Sequence, residues 1–179
     1  MPRYIAFLRA INVGGHTVRM DYLRTLFEAL GFSNVETFIA SGNVIFDSKS
    51  KSNRALEKKI EAFLQEKLGY AVVTFIRSTV EVATIAAYEP FNAADPNGGS
   101  NVLYIAFLAE PPAEAAKQKL LSFATEDNEL HVSGREVYWR CRRKMSESEF
   151  SGARLEKILG RPATFRNSTT VKRLGSKYP

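Results

Sequence analysis

At 179 residues, with 45% apolar and 25% charged residues, the chain fits one large domain or two small ones, and disordered or collagen-like compositions are excluded. A single cysteine and two histidines, His16 and His131, exclude an internal disulfide and a Cys-rich zinc site, and leave little imidazole for a metal or a histidine relay. The net charge of +6 is uneven: residues 135–179 carry 12 Lys/Arg against 4 Asp/Glu, and the rest carries 13 against 15.

Residues 3–9 are apolar and β-prone and predict a strand. Residues 20–30 place Leu23, Leu26, Phe27 and Leu30 at helical spacing, with Gly31 as the stop. Residues 35–40 and 43–47 predict two strands joined by a tight turn at Ser41-Gly42, where glycine supplies the positive φ. Residues 53–68 predict a helix with Leu56, Ile60, Phe63, Leu64 and Leu68 on one face, Asn53 as N-cap and Gly69 as stop. Residues 71–77 predict a fourth strand, so the order is β-α-β-β-α-β.

A short helix over 79–88 and a Pro/Gly/Asn-rich stretch, 90–100, precede the second half. There, 101–109 predicts a strand and 113–124 a helix. Residues 129–132 and 135–141 predict a hairpin turning at Ser133-Gly134. Residues 152–159 predict a helix stopped by Gly160, 163–167 a short strand, and 168–174 a last helix. The order repeats, and so do residues. Tyr4-Ile5-Ala6-Phe7-Leu8 recurs as Tyr104-Ile105-Ala106-Phe107-Leu108, Leu56-Glu57-Lys58 as Leu155-Glu156-Lys157, and Thr74-Phe75 matches Thr164-Phe165. The expected fold is α+β: two tandem ferredoxin-like βαββαβ units with an extra C-terminal helix. Its expected divisions are 1–78, a helix and linker over 79–100, and 101–179. In such a unit the first and third strands are central, which places both pentapeptides mid-sheet. Both are apolar on two faces, so the second face of each sheet must also be covered, by the sister sheet or by the extra helices. That counts against an open platform for stacking bases.

Leu8-Arg9-Ala10-Ile11-Asn12-Val13-Gly14-Gly15-His16 resembles an LRGINVGGH opening. Ser41-Gly42-Asn43-Val44-Ile45-Phe46 is similar to an SGNVVF hairpin, and Arg166-Asn167-Ser168-Thr169-Thr170-Val171 to an RNxxTV segment. Together they resemble the bacterial domain-of-unknown-function family 1697 over nearly the whole chain. Ala10 stands where glycine is usual, and Arg173 where lysine is. The resemblance implies a bacterial protein with paired ferredoxin-like folds; it implies no activity.

The loop from Arg9 through Asn12, Gly14 and Gly15 to His16 leaves a strand and approaches a helix, a setting in which backbone N–H groups cradle anions. It matches neither a P-loop nor a dinucleotide fingerprint, and a plain tight turn is the competing reading. Ser41 lacks the surroundings of a nucleophile elbow. Cys141 shares a strand face with Val137 and Trp139, which predicts a buried, inert thiol. Arg140, Arg142, Arg143 and Lys144 form the densest basic run, suited to nucleic-acid phosphates with Tyr138 beside them, or else to keeping an edge strand soluble. Arg166 and Asn167 sit where the last strand meets the last helix, and suit either a phosphate or a helix cap.

Within one unit, the end of the first strand and the hairpin at 41–43 are expected at opposite ends of the sheet. Arg9, Asn12 and Gly14-Gly15 are instead expected beside Arg166 and Asn167, across the boundary between the halves, in an anion-sized pocket. No apolar run reaches the roughly 20 residues of a membrane span, and Arg3 and Arg9 interrupt any leader-like start. The reading is a cytoplasmic, non-enzymatic binding module for a polyanion, nucleic acid or a nucleotide-like ligand, with no cofactor, metal or membrane partner. An enzyme on a small phosphorylated or carboxylated substrate, using Arg9, Asn12 and His16, is the alternative. A protein-interaction module is the third.

Overall fold

Alternation of large apolar side chains on both faces puts a strand where sheets are thickest, and β1 (Arg3–Leu8) occupies such a place. The computed structural model describes residues 1–12, 15–91, 102–142 and 150–179. After β1 come α1 (Met20–Ala29), β2 (Ser33–Thr37), β3 (Asn43–Asp47), α2 (Asn53–Leu68), β4 (Thr74–Ser78) and α3 (Thr79–Ala87). Then follow β5 (Val102–Phe107), α4 (Glu114–Leu121), β6 (Asn128–Ser133), β7 (Glu136–Cys141), α5 (Gly152–Leu159), β8 (Thr164–Asn167) and α6 (Ser168–Lys177).

The fold is mixed α+β, with two four-stranded antiparallel sheets ordered β2-β3-β1-β4 and β6-β7-β5-β8. Both pentapeptides therefore lie in interior strands, as expected. Two compact units result: Met1–Thr84 with Leu174–Pro179, and Ile85–Arg173. The division falls inside α3 and inside α6.

In the first unit, Tyr4, Ala6 and Leu8 face Leu23 and Phe27 of α1 and Leu56, Ile60 and Leu64 of α2. In the second, Ala106, Val137, Trp139 and Cys141 pack with Leu120 of α4 and Leu155 and Leu159 of α5. Each fully buried Leu or Phe contributes about 1.5–3 kcal/mol. The opposite sheet faces are buried as well, through Ile5, Phe7, Ile45, Phe75 and Arg77 in one unit and Ile105, Phe107, Tyr138 and Arg166 in the other.

Several local details differ from expectation. Ser52, not Asn53, caps α2: its side chain accepts from Ala55 N–H, and Ser151 caps α5 in the same way through Arg154 N–H. β2 stops at Thr37, so residues 38–42 form a longer connection than a two-residue turn. The β6–β7 turn is tight, with Ser133 paired to Glu136 around Gly134 at φ 57°. The Thr74-Phe75 and Thr164-Phe165 match is out of register by one place. Thr74 pairs with Leu8 in the first sheet, whereas Thr164 pairs with Phe107 in the second. Arg77 opposite Ile5 and Arg166 opposite Ile105 are the positions that correspond.

Candidate functional site

An antiparallel partner begins where its neighbour ends. β1 pairs with β3 through Phe7↔Asn43, so the end of β1 lies beside the start of β3 and the hairpin that leads into it. The expectation that 9–16 and 41–43 lie at opposite ends of the sheet is thereby overturned. Leu8 N–H donates to the Gly42 carbonyl at 2.9 Å. Asn12 clamps the two loops: its Nδ2 donates to the Ala40 carbonyl at 2.9 Å, and its Oδ1 accepts from Val18 N–H at 2.7 Å. Gly42 sits at φ 80°, and a Cβ there would lie 2.7 Å from Ile11 Cγ2 and 3.1 Å from Leu8 Cβ. Only glycine allows that approach.

The hairpin is organised from within. Asn43, fully buried, donates through Nδ2 to the Phe38 carbonyl at 3.0 Å and to Ser41 Oγ at 2.9 Å. Ser41 is thus an acceptor in a turn. Two residues other than glycine stand in the left-handed region here, Ala10 at φ 55° and Ile39 at φ 51°. A β-branched residue in that region is strained by the order of 1–2 kcal/mol, and Ile39 is also exposed.

A third segment closes the group. Arg9 N–H donates to the Val73 carbonyl at 2.9 Å, just before β4. The exposed His16 ring stacks on Tyr70, with centroids 3.8 Å apart and planes at 22°. Burial pushes the Tyr70 hydroxyl up from its ordinary pKa, and among the described residues its buried oxygen has no hydrogen-bond partner. Lys177 Nζ lies 5.5 Å from the centroid of the Phe38 ring. Arg9, Asn12, Gly15 and His16 thus share one end of the first sheet with residues 38–43. Gly14 lies outside the described residues.

Tyr70 and Ile39 were not singled out in the sequence, whereas Lys177 is read there as one of the basic residues near Arg166 and Asn167. Tyr70 had a signal, since it directly precedes the strand that must flank β1. The place of Lys177 beside Phe38 had no signal, because only the tertiary fold brings it there.

The basic run is arranged differently from expectation. β7 is interior and β6 is the edge strand, so these arginines are not the charges of an edge. Arg140 Nε donates to Glu129 Oε2, and Arg142 Nη2 is 4.0 Å from Glu129 Oε1. Arg140 also lies over the Phe91 ring at 5.1 Å. Tyr138 is buried, with its hydroxyl donating to the Ile85 carbonyl at 3.4 Å. Arg143 and Lys144 lie outside the described residues. Cys141 is buried, as its strand face predicts.

Arg166 is buried, and burial lowers its pKa to about 10. Its Nη1 donates to Thr164 Oγ1 at 2.9 Å and to the Phe165 carbonyl at 2.8 Å. Arg77, fully buried at the corresponding place, likewise donates through Nη1 to the carbonyl of its preceding residue, Ile76, at 2.9 Å. Asn167 caps α6, its Oδ1 accepting from Thr169 N–H at 2.9 Å.

A family model described as a protein of unknown function, DUF1697, matches residues 1–138. The chain belongs to this family. Its fold is similar to that of the conserved bacterial protein SP0830 from Streptococcus pneumoniae, at a TM-score of 0.76 and 24% identity over 99% of this chain and 98% of that one. Among curated proteins none matches. The DUF1697 match includes both converging loops of the first unit, whereas Arg140, Arg142, Arg166 and Asn167 lie beyond it. Among the described residues of this DUF1697 chain, no helix is long and apolar enough to cross a membrane, and no group of three or more His, Cys, Asp or Glu is placed to hold a metal ion.

Proposed function

We propose that this DUF1697 chain is a non-enzymatic binding module for a nucleotide-like anion, held at the end of the first sheet. The observation that carries the reading is the convergence of the Arg9–Asn12 and Phe38–Asn43 segments, clamped by Asn12, beside an exposed His16 ring stacked on Tyr70. A flat ring can lie on the outer face of His16, as bases stack on aromatic side chains elsewhere. Arg9 and Lys177 supply charge for a phosphate. The polar side chains here serve the two loops: Asn12 and Asn43 bond backbone groups, and Ser41 Oγ accepts from Asn43 Nδ2. A nucleotide-sized ligand is favoured over nucleic acid because Arg140 and Arg142 share the carboxylate of Glu129.

The scaffold in this reading is a duplicated ferredoxin-like unit, with copies at 1–78 and 101–179. Three observations support it: the identical strand orders, the paired caps Ser52 and Ser151, and the paired buried arginines Arg77 and Arg166.

Calorimetric titration with adenosine monophosphate and with inorganic phosphate tests the binding reading. Arg9→Ala with Lys177→Ala is expected to weaken both ligands about tenfold or more, a loss of about 1.4 kcal/mol. His16→Ala is expected to weaken the nucleotide alone. Absence of measurable binding by the wild-type chain at millimolar nucleotide contradicts the reading.

A further inference from the structure

An edge strand presents every second N–H away from its sheet, where it can template another strand. β4 is such an edge. Its outward N–H groups are those of Thr74, Ile76 and Ser78, and each meets a glutamate. Thr74 N–H donates to Glu61 Oε1 at 3.0 Å, Ile76 N–H to Glu57 Oε1 at 3.1 Å, and Ser78 N–H to Glu81 Oε2 at 2.7 Å.

We propose that these three glutamates close the β4 edge against strand addition, and that the partner they exclude is β4 of a second copy of this chain. The spacing makes the seal possible. Glu57 and Glu61 are four residues apart on α2, a rise of about 6 Å, and two residues of strand advance by roughly 6.6 Å. One helix therefore serves two successive outward groups. Glu81 completes the row from the first turn of α3, where its own N–H donates back to Ser78 Oγ at 3.1 Å in a capping box. Asn53 Nδ2 reaches the Ile76 carbonyl at 3.3 Å, so an acceptor on the same edge is also taken. Bonds to carboxylates are stronger than the neutral bonds a competing strand would offer.

The opposite edge of this sheet, β2, is handled by other means: its register shifts between Ser33 and Glu36, and Asn34 takes φ 49°. Such irregularity twists an edge away from a partner. β4 has a regular register along its whole length with β1, so it depends on the side chains. A straight edge strand related to its copy by a two-fold axis pairs with itself, antiparallel, with Ile76 at the centre. That self-complementarity selects a second copy as the occupant.

The test compares Glu57→Ala/Glu61→Ala/Glu81→Ala with the corresponding Gln triple variant, which keeps a carbonyl acceptor at every position. Sedimentation gives the mass, and amide hydrogen exchange reads Thr74, Ile76 and Ser78. The Gln variant is expected to keep wild-type mass and slow exchange. The Ala variant is expected to exchange at least tenfold faster at these amides when dilute, and to dimerise with concentration as they regain protection. A folded Ala variant with wild-type mass and exchange overturns the proposal, as does a dimer protected elsewhere. If the Ala triple fails to fold, Glu61→Ala alone is read at Thr74, and unchanged exchange there overturns it.

Discussion

Tyr178 donates its hydroxyl proton to Glu36 Oε2 at 2.6 Å, and the Arg3 guanidinium lies 5.3 Å from its ring centroid. Burial first, then the hydrogen bond and the charge of Glu36, push the Tyr178 pKa up to about 12. The folded value lies above the ordinary value of 10.0, so the fold binds this proton more tightly than the unfolded chain does. Its stabilisation is complete below about pH 10 and is lost as pH rises through about 12. Tyr178→Phe is expected to cost about 1 kcal/mol at neutral pH and to flatten the alkaline limb of a stability profile between those values. Denaturant midpoints across that range measure it. A wild-type limb in the variant assigns the alkaline loss to other groups.

Among the elements, the 38–42 connection departs most from what its sequence suggests. Ser41-Gly42 looks like a two-residue turn because the glycine does need positive φ. The loop is longer because Asn43 turns inward and bonds Phe38 and Ser41, a contact that local turn chemistry does not encode. Helix stops were legible, since Gly69 and Gly160 both cap in the left-handed region. The interior strands were legible too, because only such strands need apolar residues on both faces. The meeting of the two loops was also available, since β1 and β3 had to be antiparallel neighbours. Gly42→Ala combines a strained φ with a Cβ pressed on Ile11, and is expected to destabilise the fold by about 2–4 kcal/mol. Asn12→Ala loses two half-exposed hydrogen bonds and is expected to cost about 1–2 kcal/mol. Urea unfolding followed by amide signals of β1 and β3 reads both, and a Gly42→Ala midpoint equal to wild type would refute the close approach.

At the scale of the whole molecule, sequence charge and structural charge point to different places. Residues 135–179 hold the excess of basic residues, but Arg140 and Arg142 are drawn to Glu129 and Arg166 is buried among Thr164 and its own backbone. Counting lysines and arginines cannot reveal that Glu129 is a cross-strand neighbour of Arg140, which is a matter of register. The family-like segments carried the better signal, because two of them prove to be neighbours at one end of β1. The most direct measurement is a titration of the isotope-labelled chain with adenosine monophosphate, followed by amide chemical shifts. The largest shifts are expected at Gly15, His16, residues 38–43 and residues 70–74. Shifts centred on Arg140 and Arg142, with the first-sheet loops unmoved, would contradict the binding reading.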